Sequence, residues 1–102
     1  MAVLDYDIEQ YQLIEKYLYQ FEQGNLKLDR LINVLDALIE TFQNADQEWQ
    51  ENLRSEWWTL EQVYAVACDT GEFNFSSETQ SLINQTIKNI KSLLKSQLNY
   101  VS

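Results

Sequence analysis

The chain of 102 residues contains no proline and only two glycines, Gly24 and Gly71, and each glycine falls where a hydrophobic pattern of helical spacing stops. Proline removes a backbone donor and glycine loosens the backbone, so a chain nearly free of both can run as long helices punctuated at a few points. In the first segment Ile8, Tyr11, Ile14, Tyr17, Leu18 and Phe21 recur every three or four residues behind Asp7, a candidate cap with Gln10 three positions on. The spacing predicts a helix over about 7–23, ended by Gly24. Leu28, Leu31, Ile32, Leu35, Leu38, Ile39 and Phe42 form a second stripe, which predicts a helix over about 28–43.

A third helix is expected over about 46–69, capped by Asn44 or Asp46 and striped by Trp49, Leu53, Trp57, Leu60, Tyr64 and Ala67. Gly71 stands just beyond it, followed by a short loop with Phe73 and Phe75. Ser76 or Ser77 can then cap a last helix over about 77–97, whose stripe is Leu82, Ile83, Ile87, Ile90, Leu93 and Leu94. Short connections make sequential helices antiparallel neighbours, so the expected fold is all-α: one domain, 1–102, built as a compact antiparallel bundle of four helices. A long coiled coil would need an unbroken seven-residue period, which the glycines and caps interrupt. A composition of 45% hydrophobic residues, 13% of the chain aromatic, separates this sequence from acidic disordered tails and gives it enough apolar surface for a core.

The residue inventory excludes most catalytic chemistry. There is no histidine, which removes the usual acid/base side chain near neutral pH, histidine-dependent triads and the Glu-x-x-His pairs of di-iron bundles. No segment matches a calcium-binding loop or a glycine-rich phosphate loop. The single cysteine, Cys68, has no cationic cluster near it in sequence to activate it and is expected to be a buried, inert thiol. The acidic residues are spread along the helices as on a solvated surface, with no pair set into an apolar stripe. Neither an enzyme nor a metal or cofactor site is expected.

One cysteine permits no internal disulfide, and the Met-Ala-Val start lacks the basic and long apolar runs of a signal peptide. No stretch approaches the roughly 20 apolar residues that span a bilayer, so a cytoplasmic protein off the membrane is expected. All sixteen acidic residues lie between Asp5 and Glu78 against four cations, Lys16, Lys27, Arg30 and Arg54, for a net of −12 there and −9 overall. Lys88, Lys91 and Lys95 follow on one face of the last helix, where they can complement its dipole. Such a field disfavours nucleic acid and anionic membranes and favours a basic partner, although solubility alone also explains an acidic surface.

Projected at about 100° per residue, helix 3 places Leu53, Trp57, Leu60, Tyr64 and Ala67 in a narrow arc and swings Trp58 away from it. The outward side holds Glu51, Trp58, Glu61, Gln62 and Asp69, an aromatic among carboxylates that suits a protein interface. The other reading packs Trp58 beneath helix 4 or the Phe73/Phe75 loop. Asp36 and Glu40, four apart on helix 2, share a face and either extend that interface or are simply solvated.

The run Gly24-Asn25-Leu26-Lys27-Leu28-Asp29-Arg30-Leu31-Ile32 opening helix 2, followed by Glu56-Trp57-Trp58-Thr59-Leu60-Glu61-Gln62-Val63-Tyr64-Ala65, resembles small all-helical immunity proteins of bacterial toxin systems, including contact-dependent inhibition. The resemblance is spread over the whole chain and carries no catalytic or ligand signature. It implies a cytoplasmic inhibitor of a cognate toxin domain, often a nuclease with a basic substrate-binding surface. A structural or adaptor bundle within a larger assembly is the alternative, and it would be expected to self-associate.

Overall fold

The computed structural model describes residues 2–43, 45–71 and 74–101. It contains four helices, α1 (Ala2–Glu22), α2 (Leu28–Ile39), α3 (Gln47–Thr70) and α4 (Ser77–Val101), and among the described residues no strand. Each helix packs chiefly on two others, α1 on α2 and α4, and α3 on α2 and α4, so the four close into a ring. The core runs up the axis of this ring through Ile14 and Leu18 of α1, Leu31 and Leu35 of α2, Leu53 and Leu60 of α3, and Ile83, Ile87, Ile90 and Leu94 of α4. Spacings of three, four and seven residues put each set on one face, as an antiparallel bundle requires. An all-α four-helix bundle is therefore the fold.

The caps explain most boundaries. Asp46 accepts a hydrogen bond from the Trp49 backbone N–H at 3.2 Å, and Ser76 Oγ accepts one from Thr79 N–H at 3.2 Å, so each satisfies a free first-turn amide. Asn44, the other candidate cap of α3, and Phe73 of the following loop lie outside the described residues. Gly24 and Gly71 adopt φ of 79° and 74°, the left-handed region in which a side chain is strained. Gly71 N–H returns to Ala67 C=O at 2.8 Å and closes α3.

Three boundaries differ from the sequence expectation. The first helix starts at Ala2, five residues before Asp7, so Asp7 and Gln10 are not a capping pair. Asp7 is instead buried, 3% exposed, and its carboxylate accepts a hydrogen bond from Gln43 N–H at 3.0 Å. Gln10 Oε1 accepts one from Thr41 Oγ1 at 3.4 Å. These contacts belong to the second difference, because α2 stops at Ile39 and does not run to 43. Thr41 N–H and Phe42 N–H turn back to Leu38 and Ile39 carbonyls, three residues away, and the tightened turn throws the Phe42 ring onto Tyr11 and Trp49. The centroids of Tyr11 and Phe42 stand 5.1 Å apart and those of Tyr11 and Trp49 5.2 Å apart, both edge to face. Third, α4 continues to Val101, so no lysine occupies its last turn and the dipole reading of Lys88, Lys91 and Lys95 does not hold. Lys91 pairs with Glu22 of α1 instead.

The helices are unequal, and this shapes the surface. α2 has 12 residues and α3 has 24. Trp57 Nε1 donates to Ile32 C=O at 2.9 Å and Arg54 pairs with Asp36, which fixes the antiparallel register and sets Leu28, the first residue of α2, level with about residue 61 or 62 of α3. At about 1.5 Å per residue, the end of α3 overhangs α2 by roughly 12 Å. The Lys91–Glu22 pair puts the end of α1 likewise far along α4 from Ser77. The tip of the α3–α4 hairpin therefore projects past the α1–α2 turn.

Candidate protein-binding surface

The face predicted to be functional is on the outside of α3. Glu51, Trp58, Glu61, Gln62 and Asp69 are all exposed, with Trp58 56% exposed, so Trp58 does not pack beneath α4. Viewed down α3 at about 100° per residue, Glu51, Trp58, Gln62 and Asp69 fall within about 40° of one another. Glu61 stands roughly 100° from Gln62, on the side toward α2. The two adjacent tryptophans divide as their positions require. Trp57 is half-buried, bonded to Ile32 and stacked under the Arg54 guanidinium, whose central carbon lies 4.8 Å from the ring centroid, while Trp58 faces solvent.

Asp36 and Glu40 are engaged within the molecule. Both pair with Arg54, Asp36 through Oδ1 at 2.8 Å, so a single guanidinium ties α2 to α3. Glu40 and Glu51 border the same shallow concavity of about 230 Å³, with Arg54 and Gln47 between them, so the α2 carboxylates do adjoin the α3 face. Arg54 and Trp58 are one turn apart, so the strip runs from Glu40 through Arg54 to Trp58 and on to Asp69.

Two exposed apolar residues on this side were not anticipated. Val66, 59% exposed, lies on the solvent side of α3, and Leu82, 46% exposed, was expected in the core stripe of α4. Leu82 is displaced because Ile83, Ile87, Ile90 and Leu94 supply that stripe and Leu82 sits about 100° round from Ile83. The projection that turned Trp58 outward carries the same signal for Val66. Leu13 and Tyr19 are exposed on α1, away from this face.

Cys68 is exposed, against the expectation of a buried thiol. It points toward the α2 side of α3, but α2 has already ended at that level, and its neighbour Ala67 takes the core position. The side-chain hydrogen bond with Cys68 pushes the Tyr64 phenol above its ordinary range, with the Cys68 charge, some desolvation and Asp29 adding to it. A second phenol, Tyr11, is pushed up to about 12 by burial, with the Asp7 carboxylate adding to it.

A concavity of about 870 Å³ opens where the α1–α2 turn meets the overhanging hairpin, and Phe21, Leu26, Leu28, Tyr64, Phe75 and Ile83 contribute to its walls. Among the described residues no group of three or more Asp, Glu or Cys side chains is placed to hold a metal ion, and no helix is long and apolar enough to cross a membrane. No protein-family model, curated protein or solved structure matches the chain.

Proposed function

We propose that this protein is an immunity-type inhibitor that binds and neutralises a cognate basic toxin domain, such as a nuclease, in the cytoplasm. The observation that carries the reading is Trp58, an exposed tryptophan in line with Glu51, Gln62 and Asp69 on a chain of net charge −9. A tryptophan that becomes buried on association is the side chain best suited to anchor an interface, and the surrounding carboxylates accelerate encounter with a cationic surface. An acidic face imitates the charge of nucleic acid, so it suits occlusion of a nuclease cleft and at the same time repels nucleic acid itself. Glu61, Asp36 and Glu40 flank the anchor and extend the negative field, with Arg54 neutralising part of it.

The test is to co-express the protein with the product of the adjacent gene and to score growth and co-purification at low and high salt. The reading expects the neighbour to be toxic alone and neutralised by this chain, with binding weakened by salt and by Trp58→Ala and Glu61→Ala. A harmless or non-binding neighbour would remove its support. The second reading, an adaptor bundle, draws on the exposed Val66 and Leu82, and it expects the purified protein to self-associate in a size measurement.

A further inference from the structure

Between Arg54 and Lys88 the sequence holds no cation at all, while it holds five acids, Glu56, Glu61, Asp69, Glu72 and Glu78. These 33 residues form most of the α3–α4 hairpin, and they also contain Trp58, Val66 and Leu82, three exposed large apolar side chains. Solvated faces normally mix charges of both signs, and exposed apolar residues normally occur singly. Here a run of acids without an intervening cation and apolar exposure coincide.

The apolar residues also share a concavity. A groove of about 360 Å³ lies between α3 and α4, with Val63, Ala67 and Phe75 in its floor and Val66, Thr79 and Leu82 on its walls. Its size is at the lower end of the roughly 300–1,000 Å³ of small-ligand sites, enough for a bulky side chain. Asp69 is three residues after Val66 and Glu78 is four residues before Leu82, so each apolar wall has an exposed carboxylate on the same helical face. Gln62, which borders the groove, is one turn from Trp58 and one turn from Val66, which makes the groove continuous with the Trp58 face.

Resting on the reading that the partner is a basic protein, we infer that the α3–α4 groove receives one large aliphatic or aromatic side chain from a Lys- and Arg-rich helix of that partner, with its cations set against Asp69 and Glu78. Charge selects this occupant over a second copy of the chain, because self-docking would bring together two hairpin segments that carry acids and no cation of their own. It equally disfavours an anionic lipid or nucleic acid. Trp58 then anchors one side of the contact and the groove the other.

The experiment uses the full chain, isotope-labelled, titrated with a short amphipathic peptide of lysine and leucine, and a matched peptide in which glutamine replaces leucine. Expected are saturable amide shifts centred on 62–67 and 75–82, binding about tenfold weaker for the glutamine peptide, and a loss of about tenfold for Val66→Lys and Leu82→Lys at unchanged helicity. Equal binding of both peptides, shifts scattered over the acids of all four helices, absence of saturable binding, or concentration-dependent groove shifts in the free protein would each overturn the inference. Its fate separates from that of the partner reading. If the neighbouring gene product binds and Trp58→Ala weakens it but Leu82→Lys does not, the groove fails and the partner reading stands. If the peptide seats in the groove while the neighbour does not bind, the reverse holds.

Discussion

Gln43 donates its backbone N–H to the buried carboxylate of Asp7, 36 residues earlier, and so fastens the turn after α2 to the side of α1. The carboxylate is the buried half of this bond, and a carboxylate acceptor makes a stronger bond than a neutral one. Asp7→Ala is therefore expected to lower unfolding stability by about 2 kcal/mol, and Asp7→Asn, which keeps an acceptor oxygen, by less. Urea midpoints of the two variants check the order, and equal losses would mean that the carboxylate shape, not this bond, matters.

Tyr11, beside Asp7, titrates at about 12 in the folded protein against an ordinary 10.0. A phenol that holds its proton more tightly when folded contributes stability that is fully present below pH 10 and disappears as pH rises from 10.0 toward about 12. Absorbance titration of the phenolates should show a late-titrating group that Tyr11→Phe removes, and the variant's stability should fall less steeply over this alkaline window.

Arg54 joins α2 to α3 through Asp36 and Glu40 while covering the Trp57 ring. Because the carboxylates are partly exposed, the ion pairs themselves are worth little, about 1 kcal/mol together, and the stacked guanidinium adds a similar amount. Arg54→Ala should cost about 1–2 kcal/mol and change the Trp57 fluorescence. Arg54→Met retains the stem and should recover part of the loss; a full loss in both variants would assign the whole effect to charge.

Trp58 and Trp49 should behave as opposites. Trp49 is buried, packs on Tyr11 and Phe42 and donates to Leu93 C=O at 3.0 Å, so Trp49→Ala is expected to cost about 3–5 kcal/mol. Trp58→Ala should leave stability within about 0.5 kcal/mol. Its effect should appear in partner affinity, on the order of 2 kcal/mol. Thermal melts beside a binding assay distinguish the two outcomes.

Gly71→Ala places a Cβ at φ 74° with nothing within 4 Å, so its cost is that of the backbone alone, about 1 kcal/mol. A much larger drop in melting temperature would point to a steric role that the surroundings of Gly71 do not show.

The helices were legible in the sequence because Gly24, Gly71, Asp46 and Ser76 act locally: a left-handed turn or a cap needs only its own few residues. The end of α2 was not legible, since neither proline nor glycine stops it. What turns the chain at Thr41 is tertiary, the bond from Gln43 to Asp7 and the packing of Phe42 against Tyr11 and Trp49. Asp7 was misread for the same reason, as its partner is 36 residues away. On the candidate surface, 100° steps along one helix separate Trp58 from the core arc of Trp57, but whether a neighbouring element covers it was left open by the sequence. The exposure of Leu82 and Cys68 depends on how far neighbouring helices reach, which no periodicity within α3 or α4 encodes.

That difference in reach has a consequence for stability. Past about residue 62 of α3, and before Ile83 of α4, the hairpin tip is held chiefly by its two helices against each other, whereas Leu31 and Leu35 are enclosed by the whole ring. The tip can therefore open as a small cooperative unit while the remaining bundle stays intact. Amide hydrogen exchange should follow two regimes, with 65–70 and 77–81 exchanging through a low-energy opening and Leu31–Leu35 only through global unfolding. A ligand seated on the tip would close the first regime without altering the second.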